Sequence, residues 1–226
     1  MPTDSAFARL RLFQLVSPSL PLGGYAYSQG LEWAIEAGWI HNETSLREWI
    51  ENLLGSSLSH LDIPLMARLY RAGAAMDPEA FAYWSDYLVA SRETRELREE
   101  EHNRARALTA LLPELGIAIP DELLPALKKS QLSGFAYAAQ QWRIGCAEAA
   151  EGYLWSWLEN ITLAGVKIVP LGQTAGQRIM SETALLIPQL VETGLTLDDE
   201  EIGASSPAQA IASSLHETQY TRIFRS

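Results

Sequence analysis

Apolar side chains recur at helical spacing along most of this chain, with polar or small residues between the repeats. In the clearest segment, the apolar face is formed by Leu46, Trp49, Ile50, Leu53 and Leu54. No run alternates apolar and polar residues at the spacing of a sheet, and the β-branched stretch 166–169 is short and contains a lysine. The pattern therefore predicts an all-α fold, a single bundle-like domain of roughly ten helices.

Several residues mark where the predicted helices begin and end. Ser28 is a candidate N-cap for a helix that runs toward Gly38, where a glycine C-cap is expected. Ser45 and Glu48 have the spacing of a capping box. Gly145 interrupts a long region rich in alanine and aromatic residues, and we expect it to divide that region into two helices.

Residues 92–112 form a strongly charged predicted helix. Opposite charges stand four residues apart in the pairs Arg92 with Glu96, Arg95 with Glu99, and Glu100 with Arg104. Glu101 falls on the thin apolar line of this helix. A solvated face is the favoured interpretation. The alternative is a carboxylate held inward for a structural or relay role, which costs free energy unless it is paired.

Composition narrows the class of protein. The chain has 226 residues, 47% of them hydrophobic, and a formal net charge of -11. Phosphates would repel such an acidic chain, so nucleic acid and anionic membranes are poor partners and a basic protein surface fits better. The lone cysteine, Cys146, excludes an intrachain disulfide, and we find no secretory signal and no membrane span. These features together predict a cytoplasmic protein.

Sequence motifs for catalysis are not found. The chain has no phosphate-binding glycine loop, no dinucleotide fingerprint and no nucleophile elbow. None of its histidines has a second histidine or a cysteine at metal-ligand spacing; they are His41, His60, His102 and His216. We therefore predict a protein that is not an enzyme, with no cofactor and no metal site of its own.

The C-terminal tail, residues 214–226, is unusual for a chain end. Its apolar residues are interleaved with charged ones in the run Ser-Leu-His-Glu-Thr-Gln-Tyr-Thr-Arg-Ile-Phe-Arg-Ser. Aromatic and arginine side chains of this kind anchor protein interfaces. The alternative is a last helix that packs on its own domain. On the first interpretation, we expect removal of the tail to spare most of the core.

Three further segments complete a pattern that is more specific than any one of them. Residues 17–39 contain the turn Leu-Gly-Gly-Tyr-Ala-Tyr-Ser-Gln-Gly, residues 94–104 read Thr-Arg-Glu-Leu-Arg-Glu-Glu-Glu-His-Asn-Arg, and residues 165–172 read Gly-Val-Lys-Ile-Val-Pro-Leu-Gly. With the tail, and in this order, they resemble the markers of the urease accessory protein family UreF. The resemblance implies one UreF-like helical domain over residues 1–226, with an N-terminal segment at 1–22.

The resemblance also implies a function. UreF-like proteins are scaffolds that help assemble the nickel centre of urease. They bridge the accessory protein UreD, also called UreH, and the GTPase UreG. They act on the urease apoprotein and form homodimers. Two alternatives stay open: a GTPase-activating protein that places Arg222 or Arg225 in its partner's site, and a metallochaperone that carries nickel itself.

Carried over to this sequence, the resemblance implies a set of partner-binding residues. They are Tyr25, Tyr27, Ser28, Gln29, Lys167, His216, Glu217, Gln219, Tyr220, Arg222, Phe224 and Arg225. Lys167 matches a position associated in the family with gating of GTP hydrolysis. From the residues alone, the two tyrosines could instead fill the core beneath their turn, and Lys167 could extend from a buried helix end.

Overall fold

The computed structural model of the chain describes residues 4–226 and consists of α-helices joined by short turns. In chain order the helices are α1 (Asp4–Val16), α2 (Leu31–Glu36), α3 (Glu43–Leu53), α4 (Ile63–Ala75), α5 (Pro78–Ser91), α6 (Arg95–Leu111), α7 (Leu124–Leu127), α8 (Gln131–Gln141), α9 (Cys146–Ile168), α10 (Gln173–Thr183), α11 (Ile187–Thr196) and α12 (Pro207–His216). A π-helix, Leu54–Asp62, joins α3 to α4. Residues 4–226 contain no strand, which confirms the all-α prediction. The first three residues of the predicted N-terminal segment lie outside the described part.

Two helices form the centre of the molecule. Leu65, Met66 and Leu69 of α4 are fully buried, and this helix packs against α5, α8, α9 and α11. The long helix α9 crosses α1, α2, α3 and α10, and a Cβ on its Gly165 would lie 2.6 Å from a Leu46 methyl carbon. The close approach of α9 to α3 therefore depends on a residue without a side chain. Because α12 packs on α2 and α6, and α2 packs on α9, these four helices meet at one end of the core.

Local capping signals predicted some helix starts correctly and others wrongly. Gly145 is the N-cap of α9 and separates it from α8, as predicted. The proposed Ser28 cap is wrong, because α2 begins at Leu31 after Gly30, whose left-handed φ of 84° turns the chain into the helix. The cap of α3 is Asn42, whose Oδ1 accepts from the Ser45 amide at 2.9 Å. Ser45 is thus the third residue of the helix rather than its cap.

The charged helix α6 starts later than the sequence suggested. It begins at Arg95 after a Thr94 cap, so Arg92 lies outside it and the predicted pair with Glu96 is wrong. Arg92 instead donates to both carboxylate oxygens of Asp62, at 3.0 and 2.8 Å. The other two pairs are confirmed, with nitrogen-to-oxygen distances of 3.8 Å for Arg95 with Glu99 and 2.9 Å for Glu100 with Arg104.

The favoured solvated interpretation of Glu101 is also wrong. This carboxylate points inward and is nearly fully buried. It accepts hydrogen bonds from the Ser130 hydroxyl and the Leu132 amide, each at 3.1 Å, and lies 3.4 Å from the Arg92 guanidinium. Three partners from other parts of the chain offset the cost of burying the charge.

Candidate partner-binding site

The tail does not extend from the body but folds back across it. After α12 ends at His216, residues 217–226 return to the turn that precedes α2. There the Ser28 amide donates to the main-chain oxygen of Ser226 at 2.6 Å, and the Arg225 amide donates to the Ala26 carbonyl at 2.8 Å. The first and last segments singled out in the sequence are therefore in direct contact.

Two buried carboxylates hold the tail in this position. Nε2 of His216 lies 3.2 Å from a Glu32 oxygen of α2, and Nδ1 lies 2.7 Å from a Glu96 oxygen of α6. Glu32 also accepts from the Ile223 and Phe224 amides, at 2.7 and 2.9 Å. We call His216, Glu32 and Glu96 the clasp. Its carboxylates hold the tail at His216, where α12 ends, and again at residues 222–224.

Unusual backbone geometry brings the turn against α12. Gln29 and Gly30 both have left-handed backbones, with φ of 55° and 84°. A Cβ on Gly30 would lie 2.6 Å from the Ser213 amide nitrogen, so only glycine permits this approach. The Gln29 side chain donates to Glu100 at 3.0 Å and accepts from the Trp157 indole at 2.8 Å. These two bonds offset the strain of a left-handed backbone at a non-glycine residue.

Lys167 joins the same site from the end of α9. Its side chain is exposed, and its Nζ lies 5.8 Å from the ring centroid of Phe224, within the range of a cation–π contact. Phe224 itself is 5% exposed and belongs to the hydrophobic core. Phe224 is the one tail residue in that core, so the expectation that removing the tail spares most of the core stays a prediction, although removal would take away this buried ring and the buried His216.

All four segments that carried the family resemblance meet here. The tyrosine turn contacts the tail through Ser28, α6 contributes Glu96 and Glu100, and α9 contributes Lys167. The Ser226 hydroxyl donates to Glu100 at 3.3 Å, and the Arg222 guanidinium donates to Glu96 at 2.8 Å. Residues far apart in sequence thus form one continuous site.

The structure divides the predicted partner-binding residues by exposure. The exposed ones are Tyr25, Lys167, Tyr220, Arg222 and Arg225. The half-buried ones are Gln29, Glu217 and Gln219, and the buried ones are Tyr27, Ser28, His216 and Phe224. Ile223, which the prediction left out, is 70% exposed beside them. We call the exposed group with Ile223 the tail surface; the buried residues shape it from beneath.

A second buried charge network lies below the tail surface. Tyr153 donates to Asp62 at 2.7 Å, and Asp62 in turn is paired with Arg92. Burial raises the pKa of Tyr153 well above its ordinary value, and the nearby Asp62 charge adds to the effect. Burial alone would lower the pKa of Arg92, but Asp62 and Glu101 raise it well above its usual range. Both groups therefore stay protonated, which keeps the network intact.

Glu100 links this network to the tail. Burial raises the pKa of Glu100, whereas Arg104 and the Gln29 amide oppose that rise by stabilising the carboxylate. A cavity of about 40 Å³ beside it is lined by polar groups that include Asp62, Glu101 and Arg104. Such a space is large enough to hold an ordered water molecule.

Sequence reasoning missed the acidic members of the site. Glu32 lies within the apolar run Leu-Glu-Trp-Ala-Ile, and a charged residue flanked by core positions is a signal that could have been followed. The spacing of Glu96 predicts a surface pair, and no sequence pattern singles out Asp62. All three are buried, and each is bonded to a partner at least thirty positions away.

Two general properties complete the description of residues 4–226. In this part of the chain, no three His, Cys, Asp or Glu side chains lie close enough together to hold a metal ion. No helix here combines the length and the apolar character that crossing a membrane requires.

Comparison with known proteins finds a family model and relatives that match most or all of this chain. The sequence model of the UreF family matches residues 40–184. Proteins named urease accessory protein UreF match over almost their whole length: that of Alcanivorax borkumensis is 51% identical, with 99% of each chain covered. The protein of Pseudomonas putida strain W619 is 47% identical, and the match covers 99% of this chain and 100% of the relative. The protein of Escherichia coli O157:H7 is 44% identical, and the match covers both chains fully. These full-length matches include the tyrosine turn and the tail.

Proposed function

The chain belongs to the UreF family of urease accessory proteins, and on that premise we propose that it is a scaffold for assembly of the nickel centre of urease. In this proposal it acts in the cytoplasm as a homodimer and has no catalytic activity of its own. It bridges the accessory protein UreD, or UreH, and the GTPase UreG, and the assembly acts on the urease apoprotein. Nickel is the cargo of that assembly rather than a cofactor of this chain.

The observation that carries this proposal is the construction of the tail surface. Four separate segments of the chain contribute to it, and the clasp fixes the tail from within. Tyr220 is fully exposed, and Tyr25 and Ile223 are 67% and 70% exposed. Large apolar side chains held in the solvent by a rigid base are typical of an interaction site rather than of a chain end.

The charges of the tail surface suit a GTPase partner. Lys167, Arg222 and Arg225 add positive charge to an otherwise acidic chain. Arginine and tyrosine are the residue types that most often dominate binding energy at interfaces. We assign this surface to the GTPase, and we assign UreD and the second copy to other faces of the molecule.

The second candidate function is activation of the GTPase by an arginine placed in its active site. Arg222 is a weaker candidate for this role because its guanidinium is bonded to Glu96. Arg225 is exposed and anchored only through its backbone in the contacts described above, so it is the better candidate. An arginine supplied in this way raises GTP turnover by roughly 10³–10⁵-fold, whereas a scaffold need not change turnover.

Substitutions on the tail surface test the proposal better than truncation, since truncation would also remove core contacts. Tyr220→Ala and Arg225→Ala should each weaken capture of purified GTPase by about tenfold or more if they are interface anchors. Capture of UreD should be unchanged. Tyr83→Ala, which removes an exposed tyrosine from α5, is the matched control and should leave both captures unchanged.

Two outcomes are informative. If Tyr220→Ala and Arg225→Ala bind the GTPase as tightly as the unchanged protein, the tail surface is not its binding site. If Arg225→Ala retains capture but abolishes a large acceleration of GTP hydrolysis, the activating role replaces the scaffold role.

A further inference from the structure

Two aliphatic side chains of α12 face solvent rather than the core. Ile211 and Leu215 are 50% and 41% exposed, whereas Ala212 and His216, on the other side of the helix, are buried. The two exposed side chains stand four residues apart, so they form one apolar strip along α12. Neither belongs to the tail surface.

An open groove of about 630 Å³ runs between this strip and the start of α6. On the α12 side it is lined by Ile211 and Leu215, and on the α6 side by Arg95 and Arg98. One wall is therefore apolar and the other is basic. A wholly apolar ligand would leave the guanidinium groups without partners, and a small anion would leave the apolar wall uncovered.

The basic wall continues along α6 beyond the groove. Arg106 lies two turns after Arg98, which places it about 12 Å further along the helix. Between them, Nδ1 of His102 lies 2.8 Å from the Lys129 carbonyl oxygen, so the adjacent Lys128 is close to the same stretch of α6. We call Arg98, Arg106 and Lys128 the basic ridge.

The basic ridge carries positive charge that the chain itself does not neutralise. Arg98 and Arg106 each donate to a neutral oxygen, a main-chain carbonyl and an asparagine side chain, at 2.6 Å. In the described part of the chain, no member of the ridge forms an ion pair, whereas Lys129 beside it is paired with Asp86 at 2.6 Å. In a chain with a net charge of -11, such cations are available to an acidic partner.

Acidic residues beside the groove set the orientation of such a partner. Glu217 accepts from the Arg95 amide at 2.9 Å and from the Glu96 amide at 3.4 Å, so the start of α6 compensates its charge. Glu93 also lines the groove and is exposed. Its charge favours an arrangement in which the partner's carboxylates lie along the ridge and its apolar side chains lie over α12.

The basic ridge and the tail surface lie on different sides of α6. Glu96 and Glu100 of this helix bind the tail. Arg98 comes two residues after Glu96, and His102 two residues after Glu100, which turns each by about 200° around the helix axis. A partner on the ridge would therefore leave the tail surface free.

We propose that the groove and the basic ridge together form a second docking surface, which binds an acidic segment of a partner protein. The apolar side chains of that segment occupy the groove against Ile211 and Leu215, and its carboxylates pair with the ridge. The occupant is a protein segment rather than nucleic acid, because the apolar wall offers nothing to a phosphate backbone and the acidic chain would repel one. This surface is separate from the one assigned to the GTPase, so the inference goes beyond the proposed function.

A synthetic peptide long enough to span the groove and the ridge probes this surface. It carries leucine at every third or fourth position and glutamate between, which gives an acidic helix with one apolar face. A second peptide has serine in place of leucine. Fluorescence anisotropy measures the binding of each labelled peptide to the full chain. We expect the leucine peptide to bind more tightly than the serine peptide, and its affinity to fall as salt is added.

Charge reversal identifies the basic part of the site. Arg106→Glu combined with Lys128→Glu should weaken binding of the leucine peptide by about tenfold, since each reversal replaces an exposed ion pair with a repulsion. The matched control combines Arg9→Glu with Arg71→Glu, at exposed positions of α1 and α4. It changes the net charge by the same amount and should alter binding by less than about twofold, because distant surface charges are screened.

The apolar wall is tested separately. Ile211→Ser should weaken binding of the leucine peptide by about fivefold, because half of this side chain is exposed and becomes buried on docking. It should leave binding of the serine peptide unchanged. Circular dichroism confirms that each variant is folded.

Several results would overturn the proposal. These are failure of the leucine peptide to bind, equal losses in the ridge variant and its control, or an Ile211→Ser variant that binds both peptides as the unchanged protein does. Tighter binding of a short duplex DNA than of the leucine peptide would make the ridge a phosphate-binding surface instead. Loss of GTPase capture in the variant with Arg106→Glu and Lys128→Glu would join the ridge to the tail surface and remove the second partner. A failure of the tail surface to bind the GTPase would leave the peptide results unaffected.

Discussion

Gly30→Ala tests whether the approach of α12 to the tyrosine turn depends on the absence of a side chain. Gly30 has a φ of 84°, a conformation that costs an L-residue about 1–2 kcal/mol. A Cβ there would also lie 2.6 Å from the Ser213 nitrogen and 3.1 Å from two further backbone atoms of α12. Backbone atoms cannot rotate away as a flexible side chain can. The substitution must therefore push α12 from α2.

Gly38→Ala separates these two costs. Gly38 lies just beyond the other end of α2, with a φ of 77°, and nothing lies within 4 Å of a Cβ placed on it. It should therefore show the backbone cost alone. Gly30→Ala should add an overpacking cost of about 1–3 kcal/mol. The expected difference between the two melting temperatures is about 2–12 °C, at roughly 2–4 °C per kcal/mol for a chain of this size.

Differential scanning calorimetry of the two variants beside the unchanged protein measures this difference. Hydrogen exchange of the Ile223 amide shows whether the displacement reaches the tail, since moving α12 also moves His216. If Gly30→Ala melts no lower than Gly38→Ala, the close approach of the turn to α12 is not a constraint on the fold, and the argument fails.

Three further perturbations test other parts of the account. Glu101→Ala leaves Arg92 with one carboxylate fewer in a buried site and should lower the free energy of unfolding, measured in urea, by about 3–5 kcal/mol. Glu99→Ala, at an exposed position, should lower it by less than about 1 kcal/mol. Equal losses in the two variants would contradict the inward role of Glu101. Lys167→Ala should keep the fold and complex assembly but change GTP use or nickel loading of urease, and equal values for mutant and unchanged protein would count against a gating role. Calorimetry should detect no tight nickel site in the isolated monomer; a one-to-one submicromolar site would favour the nickel-carrier alternative.

The sequence predicted the helical class because it depends on local information. Apolar spacing and the break at Gly145 each act within a few residues, so they can be recognised without knowing the fold. The start of α2 could not be predicted in the same way. Ser28 is a good cap by type, but its amide is bonded to Ser226, 198 positions away, and the helix is capped by Gly30 and starts at Leu31.

Glu101 shows why burial of charged residues is decided by tertiary structure. Its position on an apolar line is visible in the sequence, but the free-energy cost of burying an unpaired carboxylate favours exposure of this side chain to solvent. The partners that reverse this cost come from the start of α8 and from the residues before α6. No spacing rule connects those segments, so the favoured interpretation was wrong.

The sequence by itself determined the family, the all-α class and the four segments that form the site, because each depends on residue types in order along the chain. Only the tertiary structure decided which of those residues face solvent and which support them. Tyr27 and Phe224 are aromatic, and residue type does not distinguish them from Tyr25 and Tyr220, yet the first two are buried and the last two exposed. The physical reason is that burial depends on what lies opposite a side chain in space, and here that is set by helices α2, α6 and α9 meeting the returning tail.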